Sequence, residues 1–356
     1  MSKDKEAIPA ATQELLAEVD LHYVQASEPG CHRRRAGRGF VYLDPEGQVV
    51  RDATQRARFK ALAIPPAWRD VWIAADPNAH LRATGRDETG RKQYLYHPAW
   101  ERVREQTKYT RLLEFGQALP HLRSQVDQDL RSRKLSQTKV LALVVRLLET
   151  TLIRIGNPEY ERQNGSYGLT TLLDEHVTVE DGEIVFEFRG KSGVEHEIVL
   201  DDPRLARLVK ACQELPGQRL FQYMDDEGAV HAIDSGMVND YLRSVTGSNF
   251  TAKEFRTWGG TVQALHLLRG QPRGESEADR KRQVVAMIKE VAACLGNTPA
   301  VCRQHYIHPC VTEAFLADEL ERYDARTNDP QGSTTPGLSV EEQIVLALLH
   351  DYLQRG

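Results

Sequence analysis

The sequence predicts an α+β protein in two parts. A small N-terminal domain is built on an antiparallel sheet, and a larger, mainly α-helical domain follows, interrupted by a three-stranded β-meander. Three observations carry that prediction. Short apolar or alternating runs separated by turn residues fill the chain to about residue 97. From about residue 111 the apolar residues recur at helical spacing. Within that helical stretch, residues 176–200 form three alternating runs joined at Asp181-Gly182 and at Gly190-Lys191-Ser192-Gly193, which is hairpin turn chemistry.

Taken in order, residues 8–22 read as a short helix, and His32-Arg33-Arg34-Arg35-Ala36-Gly37-Arg38-Gly39 as a basic, glycine-containing loop. Residues 40–43, the turn Asp44-Pro45-Glu46-Gly47 and residues 48–50 give a strand–turn–strand signal. Residues 53–63 look helical and stop at Pro65-Pro66. Strands are expected at 71–74, 80–85 and 91–96, the last two around the turn Asp87-Glu88-Thr89-Gly90. In the strand at 91–96, Gln93 and Leu95 alternate with Lys92, Tyr94 and Tyr96. Interleaved basic and aromatic residues suit a surface that meets phosphate, and equally an edge strand with a solvated face. A helix begins at Pro98 and runs to about 110, near the expected domain boundary.

Beyond it, Leu119-Pro120 is expected to break one helix from the next. Ser136 is placed to cap a core helix in which Val140, Leu141, Val144, Leu147, Leu148 and Leu152 recur. That helix delivers Ile153-Arg154-Ile155-Gly156-Asn157, an arginine at its exit followed by a glycine turn. After the meander, helices are expected at 203–215, 236–246, from about 251 through Leu268, and at 278–295. Residues 325–338 are linker-like, and 339–353 form a final amphipathic helix. The boundaries adopted are 1–106, 107–325 and 326–356.

The net charge of −5 argues against a generally basic nucleic-acid-binding protein, but the charge is unevenly spread. Residues 311–356 carry nine acidic residues against three arginines, and the rest of the chain carries 43 basic against 42 acidic. Residues 82–111 hold eight basic and four acidic residues, a local basic patch. No apolar run approaches the ~18 residues of a membrane span. The N-terminus lacks the apolar core of a secretory signal. Five scattered cysteines, an odd number, fit reduced thiols in a cytoplasmic setting.

The stretch Leu295-Gly296-Asn297-Thr298-Pro299-Ala300-Val301-Cys302-Arg303-Gln304-His305-Tyr306-Ile307-His308-Pro309 organises the second domain. Gly296-Asn297 reads as a turn, Thr298 as an N-cap and Pro299 as the first helical residue. The short helix is expected to carry Tyr306 and to stop at Pro309. Cys302, His305, His308 and Cys310 crowd too tightly around Pro309 for four tetrahedral zinc ligands.

In chain order, Arg154, Lys191, Arg256 and Tyr306 each have an ordinary structural explanation alone. Together, the pieces Ile153-Arg154-Ile155-Gly156-Asn157, Gly190-Lys191 in a hairpin, Lys253-Glu254-Phe255-Arg256-Thr257 and the 295–309 stretch resemble the type IB DNA topoisomerases, most closely the compact poxvirus-like form of bacteria. The resemblance covers about residues 20–320. It implies the fold of the tyrosine recombinases and type IB topoisomerases, with Tyr306 attacking a DNA phosphodiester to form a 3′-phosphotyrosyl link. It further implies that Arg154 and Arg256 grip the nonbridging oxygens and that Lys191 protonates the leaving 5′ oxygen. Supercoils of both signs would be relaxed without ATP, metal or other cofactor. The family resemblance also makes Gln93, Tyr94, Tyr96, Asn157, Tyr160 and Lys253 contacts to double-stranded DNA, held by a monomer acting as a clamp in the cytoplasm, at the nucleoid. At Asn297 poxviral and nuclear members carry histidine, and an asparagine can hydrogen-bond but cannot carry a proton charge. A tyrosine recombinase shares the nucleophile, but usually has histidine where Lys253 stands. A non-catalytic DNA-binding protein is the remaining alternative.

Overall fold

The computed structural model describes residues 10–37, 39–272, 274–327 and 336–355. The chain divides into two compact units, Met1–Thr110 and Arg111–Gly356. The first contains α1 (Ala10–Glu18), β1 (Gly30–Ala36), β2 (Gly39–Leu43), α2 (Ala53–Ala61), β3 (Arg69–Ala74), β4 (Leu81–Arg86) and β5 (Lys92–Tyr96), and the start of α3 (Pro98–Leu130). The strands form one antiparallel sheet in the order β2-β1-β3-β4-β5, which leaves β5 at an edge. The period-2 alternation of β3 divides its side chains between two faces. Val71 and Ile73 pack with Cys31, Ala83 and the α2 residue Phe59, whereas Trp72 and Ala74 pack with Leu81, Val24 and Tyr96. Asp52 caps α2 by accepting the Gln55 N–H.

Residues 32–36 of the basic run are part of a strand rather than a loop. His32 to Ala36 pair with Leu43 to Gly39, and Gly37 turns the chain at φ +56°. The expected pairing of 40–43 with 48–50 shrinks to a single bridge between Leu43 and Val49. The difference has a long-range cause, because Arg33 finds its hydrogen-bond partners inside the fold. Its guanidinium donates to the carbonyls of Ile64, Pro65 and Trp68 at 2.8, 2.8 and 3.0 Å, so a basic residue here serves the sheet.

The second unit continues α3 and adds α4 (Gln137–Thr151), α5 (Pro158–Asn164), β6 (Val177–Glu180), β7 (Glu183–Arg189), β8 (Glu195–Asp201), α6 (Pro203–Gln213), β9 (Gln222–Met224), β10 (Val230–Ala232), α7 (Ser235–Thr246), α8 (Ala252–Arg269), α9 (Glu277–Cys294), α10 (Pro299–His305), α11 (Pro309–Leu316), α12 (Leu320–Thr327) and α13 (Val340–Arg355). Strands β6, β7 and β8 form the expected antiparallel meander, with Asp181 and Gly182 both at positive φ in its first turn. The short hairpin β9–β10, and helices α5, α11 and α12, have no counterpart in the sequence reading.

Pro120 does not break α3, which runs through it. Proline forfeits one N–H bond, but Leu119 and Leu122 on either side are buried in the core and hold the helix across the gap. Ser136 caps α4 as expected, accepting from Lys139 N, and nine of the helix's side chains are buried. Pro309 opens α11 instead of ending the preceding helix, which has already stopped at His305. A proline's missing N–H costs nothing at a first helical position. The final helix α13 packs on α8, α11 and α12 within the second unit. The linker-like stretch falls largely on residues 328–335, outside the described residues. Among the described residues no single helix is long and apolar enough to cross a membrane.

Candidate active site

Arg154 lies just beyond α4, on a segment held by backbone geometry. Leu152 ends the helix in the left-handed region at φ 55°, an uncommon state for a branched residue. Gly156, at φ +95°, turns the chain back, and Gly168 crosses so close that a Cβ there would meet the Arg154 carbonyl oxygen at 2.5 Å. That carbonyl accepts from Leu169 N at 2.9 Å, and the Ile155 carbonyl from Thr170 N at 2.7 Å. The segment bearing Arg154 is therefore fixed on both sides.

Arg256 sits in the second turn of α8, whose capping box pairs Thr251 with Glu254. Its side chain is buried. The guanidinium donates to the Leu295 carbonyl at 2.6 Å and to the Leu152 carbonyl, and it lies over the Tyr306 ring, 5.1 Å from the centroid. Its Nε is buried without a hydrogen-bond partner. Burial, reinforced by the Arg154 charge, pulls its pKa down to about 10, with the Tyr306 phenol opposing the shift. The group remains a cation at neutral pH. Among the described residues no carboxylate pairs with Arg154 or Arg256, so two neighbouring guanidinium charges are left uncompensated by any anion. Such a pair is a ready site for an anion with several acceptor oxygens.

Asn297 joins the two arginines. Its Oδ1 accepts from an Arg154 terminal nitrogen at 2.6 Å, and its Nδ2 donates to the Leu295 carbonyl at 3.2 Å, the same carbonyl that accepts from Arg256. Its backbone N–H is tied to the Ala292 carbonyl at 2.9 Å. Tyr306 is half-buried at the C-terminal cap of α10, its N–H bonded to the Cys302 carbonyl at 2.9 Å. The Tyr306 carbonyl accepts from the Thr261 hydroxyl at 3.3 Å and abuts Gly260 of α8, where a Cβ would meet it at 2.8 Å. Thus α8 supplies Arg256 on one turn and, on the next, the flat spot against which the tyrosine segment rests. Arg154, Arg256, Asn297 and Tyr306 form one cluster.

Lys191 is exposed at the tip of the β7–β8 hairpin, where Ser192 and Gly193 both take positive φ. The hairpin closes through Gly190 N donating to the Val194 carbonyl at 2.7 Å. His196, read from the sequence only as part of the meander and not as a site candidate, connects this hairpin to the cluster. Its ring stacks on Phe188, directly across the strand pair, at 5.0 Å and 13°. It leaves no room for a side chain at Gly190 or at Gly296, where a Cβ would meet it at 2.5 and 2.3 Å. Burial, and then the Arg154 and Arg256 charges, hold its imidazole below the usual histidine value against an opposing push from Glu195. The sequence signal for it is the period of two that puts His196 on the same strand face as Ile198 and Leu200.

The other six candidates are divided between the units. On β5, Tyr94 and Tyr96 share a face and stack at 6.1 Å and 8°, with the Lys92 ammonium 5.5 Å from the Tyr94 centroid. Gln93 has the opposite parity and donates to Asp87 at 2.7 Å, so its amide is engaged within the sheet. In the second unit, Asn157 caps α5, accepting from Glu159 N at 2.7 Å, and Tyr160 is exposed on that helix. Lys253 is exposed in the first turn of α8. In the former zinc candidate, His308 Nδ1 instead caps α11 by accepting from Cys310 N at 3.0 Å. Among the described residues no group of three or more metal-ligating side chains is gathered.

Comparison with known proteins places the chain in a family. Residues 97–327 match the model of the eukaryotic DNA topoisomerase I catalytic core, and residues 39–87 that of the bacterial DNA topoisomerase IB N-terminal domain. The chain is 30% identical over 308 residues to the DNA topoisomerase 1B of Acanthamoeba polyphaga mimivirus, covering 85% of this chain and 92% of the viral protein. Identity to the DNA topoisomerase 1B of Vaccinia virus (strain Copenhagen) is 23% over 235 residues, 64% of this chain and 70% of that one. Identity to the DNA topoisomerase 1 of Schizosaccharomyces pombe is 22% over 218 residues, 60% of this chain and 26% of that one. With a catalytic-core match over more than half its length, a bacterial-type N-terminal match and a viral relative aligned nearly end to end, this chain belongs to the type IB DNA topoisomerases, in their compact bacterial, poxvirus-like form.

Proposed function

We propose that the protein relaxes positive and negative supercoils by opening one strand of duplex DNA at Tyr306, with neither ATP nor a metal ion. The observation that carries the reading is the buried Arg256 over the Tyr306 ring, linked through Leu295 and Asn297 to Arg154. A phosphodiester held by both guanidiniums would lie beside the phenol. The Tyr306 oxygen bonds to phosphorus as the bond to the 5′ oxygen breaks, leaving a 3′-phosphotyrosyl link and a 5′-hydroxyl. The phenol gives its proton to water, and Lys191 gives one to the departing 5′ oxygen. The negative charge of the pentacoordinate state falls on oxygens facing fixed cations. The covalent link conserves the energy of the broken bond, so resealing reverses the same steps after the strand has rotated.

Asn297 acts here by holding Arg154, since its Oδ1 is already engaged by that guanidinium. Duplex DNA would meet Gln93, Tyr94 and Tyr96 on the first unit, and Asn157, Tyr160 and Lys253 at two helix N-termini of the second, which favour phosphate. The protein would work as a monomeric clamp, in the cytoplasm where the nucleoid lies. The test is relaxation of a plasmid without recombination sites, in EDTA and without ATP, with trapping of a covalent adduct. Both activities are expected in the parent protein, and neither in Tyr306→Phe. Relaxation surviving in that variant, or failing in EDTA, defeats the reading.

A further inference from the structure

Lys191 sits on a hairpin tip, and a proton donor there is useful only if the hairpin stands at a fixed distance from the phosphate site. The polar bonds of the arginine–asparagine–tyrosine cluster do not include Lys191. The contact that ties the hairpin to the cluster is made by His196. On one side its imidazole bears on Gly190, the residue immediately before Lys191, and on the other on Gly296, the residue immediately before Asn297. Phe188 covers one face of the ring. Gly296 also offers its carbonyl to Arg154 at 3.5 Å. We propose that His196 is a positioning residue for strand cleavage: its imidazole is the spacer that sets the Lys191 hairpin against the Gly296-Asn297 turn.

Two features favour a spacer over a further acid or cation. The ring fills the space between two glycine backbones, so its shape is used whatever its protonation. Burial and the two flanking guanidiniums also keep it uncharged at neutral pH. The two glycines then have a reason to be glycine. Gly296 needs it twice, for φ +57° and for the ring. Gly190 needs it only for the ring, because its φ of −91° suits any residue.

The proposal rests on the reading of Lys191 as the general acid, and the experiment separates the two. Single-turnover cleavage is measured on a duplex carrying either the natural 5′ oxygen or a bridging 5′ sulfur at the cleaved bond, since a thiolate leaves without protonation. Lys191→Ala is the control, and its rescue by sulfur establishes the acid. His196→Ala is expected to slow cleavage of the oxygen substrate by roughly 10- to 100-fold, the cost of a misplaced donor, and to cleave the sulfur substrate at near the parental rate. A His196→Ala variant that is unimpaired, or impaired equally on both substrates while Lys191→Ala is rescued, overturns the proposal.

Two further measurements do not depend on the role of Lys191. Amide hydrogen exchange at residues 190–194 and 295–298 must accelerate in His196→Ala, and unchanged exchange also overturns the proposal. Gly190→Ala is expected to impair cleavage at least 10-fold when His196 is present and by less than about threefold in the His196→Ala background, where the obstructing ring is gone. Equal effects in the two backgrounds overturn it again.

Discussion

Arg256 is a buried cation whose polar partners are two main-chain carbonyls, with a phenol ring beneath it. Carbonyl dipoles orient a guanidinium but do not neutralise it, and Arg154 nearby adds repulsion. On the proposed function, a DNA phosphate would relieve both, and the site would be arranged for an anion before one arrives. Asn297 fits that arrangement because a neutral amide can hold Arg154 without cancelling its charge. Asn297→Ala should therefore slow cleavage by about 10- to 100-fold through loss of orientation. Asn297→His should retain activity, because a neutral ring nitrogen can accept from Arg154. Asn297→Asp separates stability from function: its carboxylate pairs with Arg154, so the melting temperature should rise while cleavage falls below that of Asn297→Ala. Calorimetry and single-turnover cleavage on the three variants check the ordering. A fully active Asn297→Asp would show that the charge on Arg154 is not what the reaction uses.

At the scale of elements, α8 organises the site through what it lacks as well as what it carries. Gly259 and Gly260 in a helix interior cost about 1 kcal/mol each relative to alanine. They let two neighbours close in: a Cβ at 259 would meet the Leu152 side chain at 2.6 Å, and one at 260 the Tyr306 carbonyl at 2.8 Å. Gly260→Ala should displace the tyrosine segment and cut cleavage on the order of 100-fold, while the improved helix propensity partly offsets the loss of stability. Activity falling no further than stability would count against this role. The C-terminal helix is tied to the same element. Glu342 of α13 accepts from Trp258 of α8 at 3.0 Å and from Arg123 of α3 at 2.6 and 2.8 Å. Burial alone would raise the Glu342 pKa, but these partners bring it below the ordinary 4.5. A depressed carboxylate pKa contributes stability that is fully present above 4.5 and is lost as pH falls through the lower, folded value. Glu342→Gln should thus lower stability at neutral pH by about 2 kcal/mol, roughly 4–8 °C in Tm. The gap from the parent should narrow below pH 4.5, and melting curves across that range test it.

Over the whole molecule, what could be read from the sequence followed the range of the forces involved. The helix at Ser136 and the Asp181-Gly182 hairpin rest on local periodicity and capping, and were legible. Four motifs in order marked Arg154, Lys191, Arg256, Asn297 and Tyr306 as candidates, and the structure gathers Arg154, Arg256, Asn297 and Tyr306 into one cluster. The β1 strand was not legible, because Arg33 finds its carbonyl partners more than thirty residues away. Neither was the unbroken α3, whose Pro120 is carried by packing that its own neighbours do not announce. The His196 wedge and the Asn297–Arg154 bond depend on segments about 100 and 143 residues apart meeting in space. Charge behaves in the same way: a chain with net −5 binds a polyanion only through local patches. Each phosphate neutralised by such a patch contributes about 0.9 to the slope of log affinity against log salt. Lys253→Ala, at the exposed N-terminus of α8, should therefore lower that slope by about 0.9. Tyr94→Ala, which removes an exposed ring and no charge, should weaken binding while leaving the slope unchanged. Fluorescence anisotropy on a short duplex at several salt concentrations, with Tyr306→Phe as the parent to prevent cleavage, measures both. A slope unaltered by Lys253→Ala would remove α8 from the DNA contact surface. A slope altered by Tyr94→Ala would mean that the ring acts by holding Lys92, its cationic neighbour at 5.5 Å, and makes no direct contact of its own.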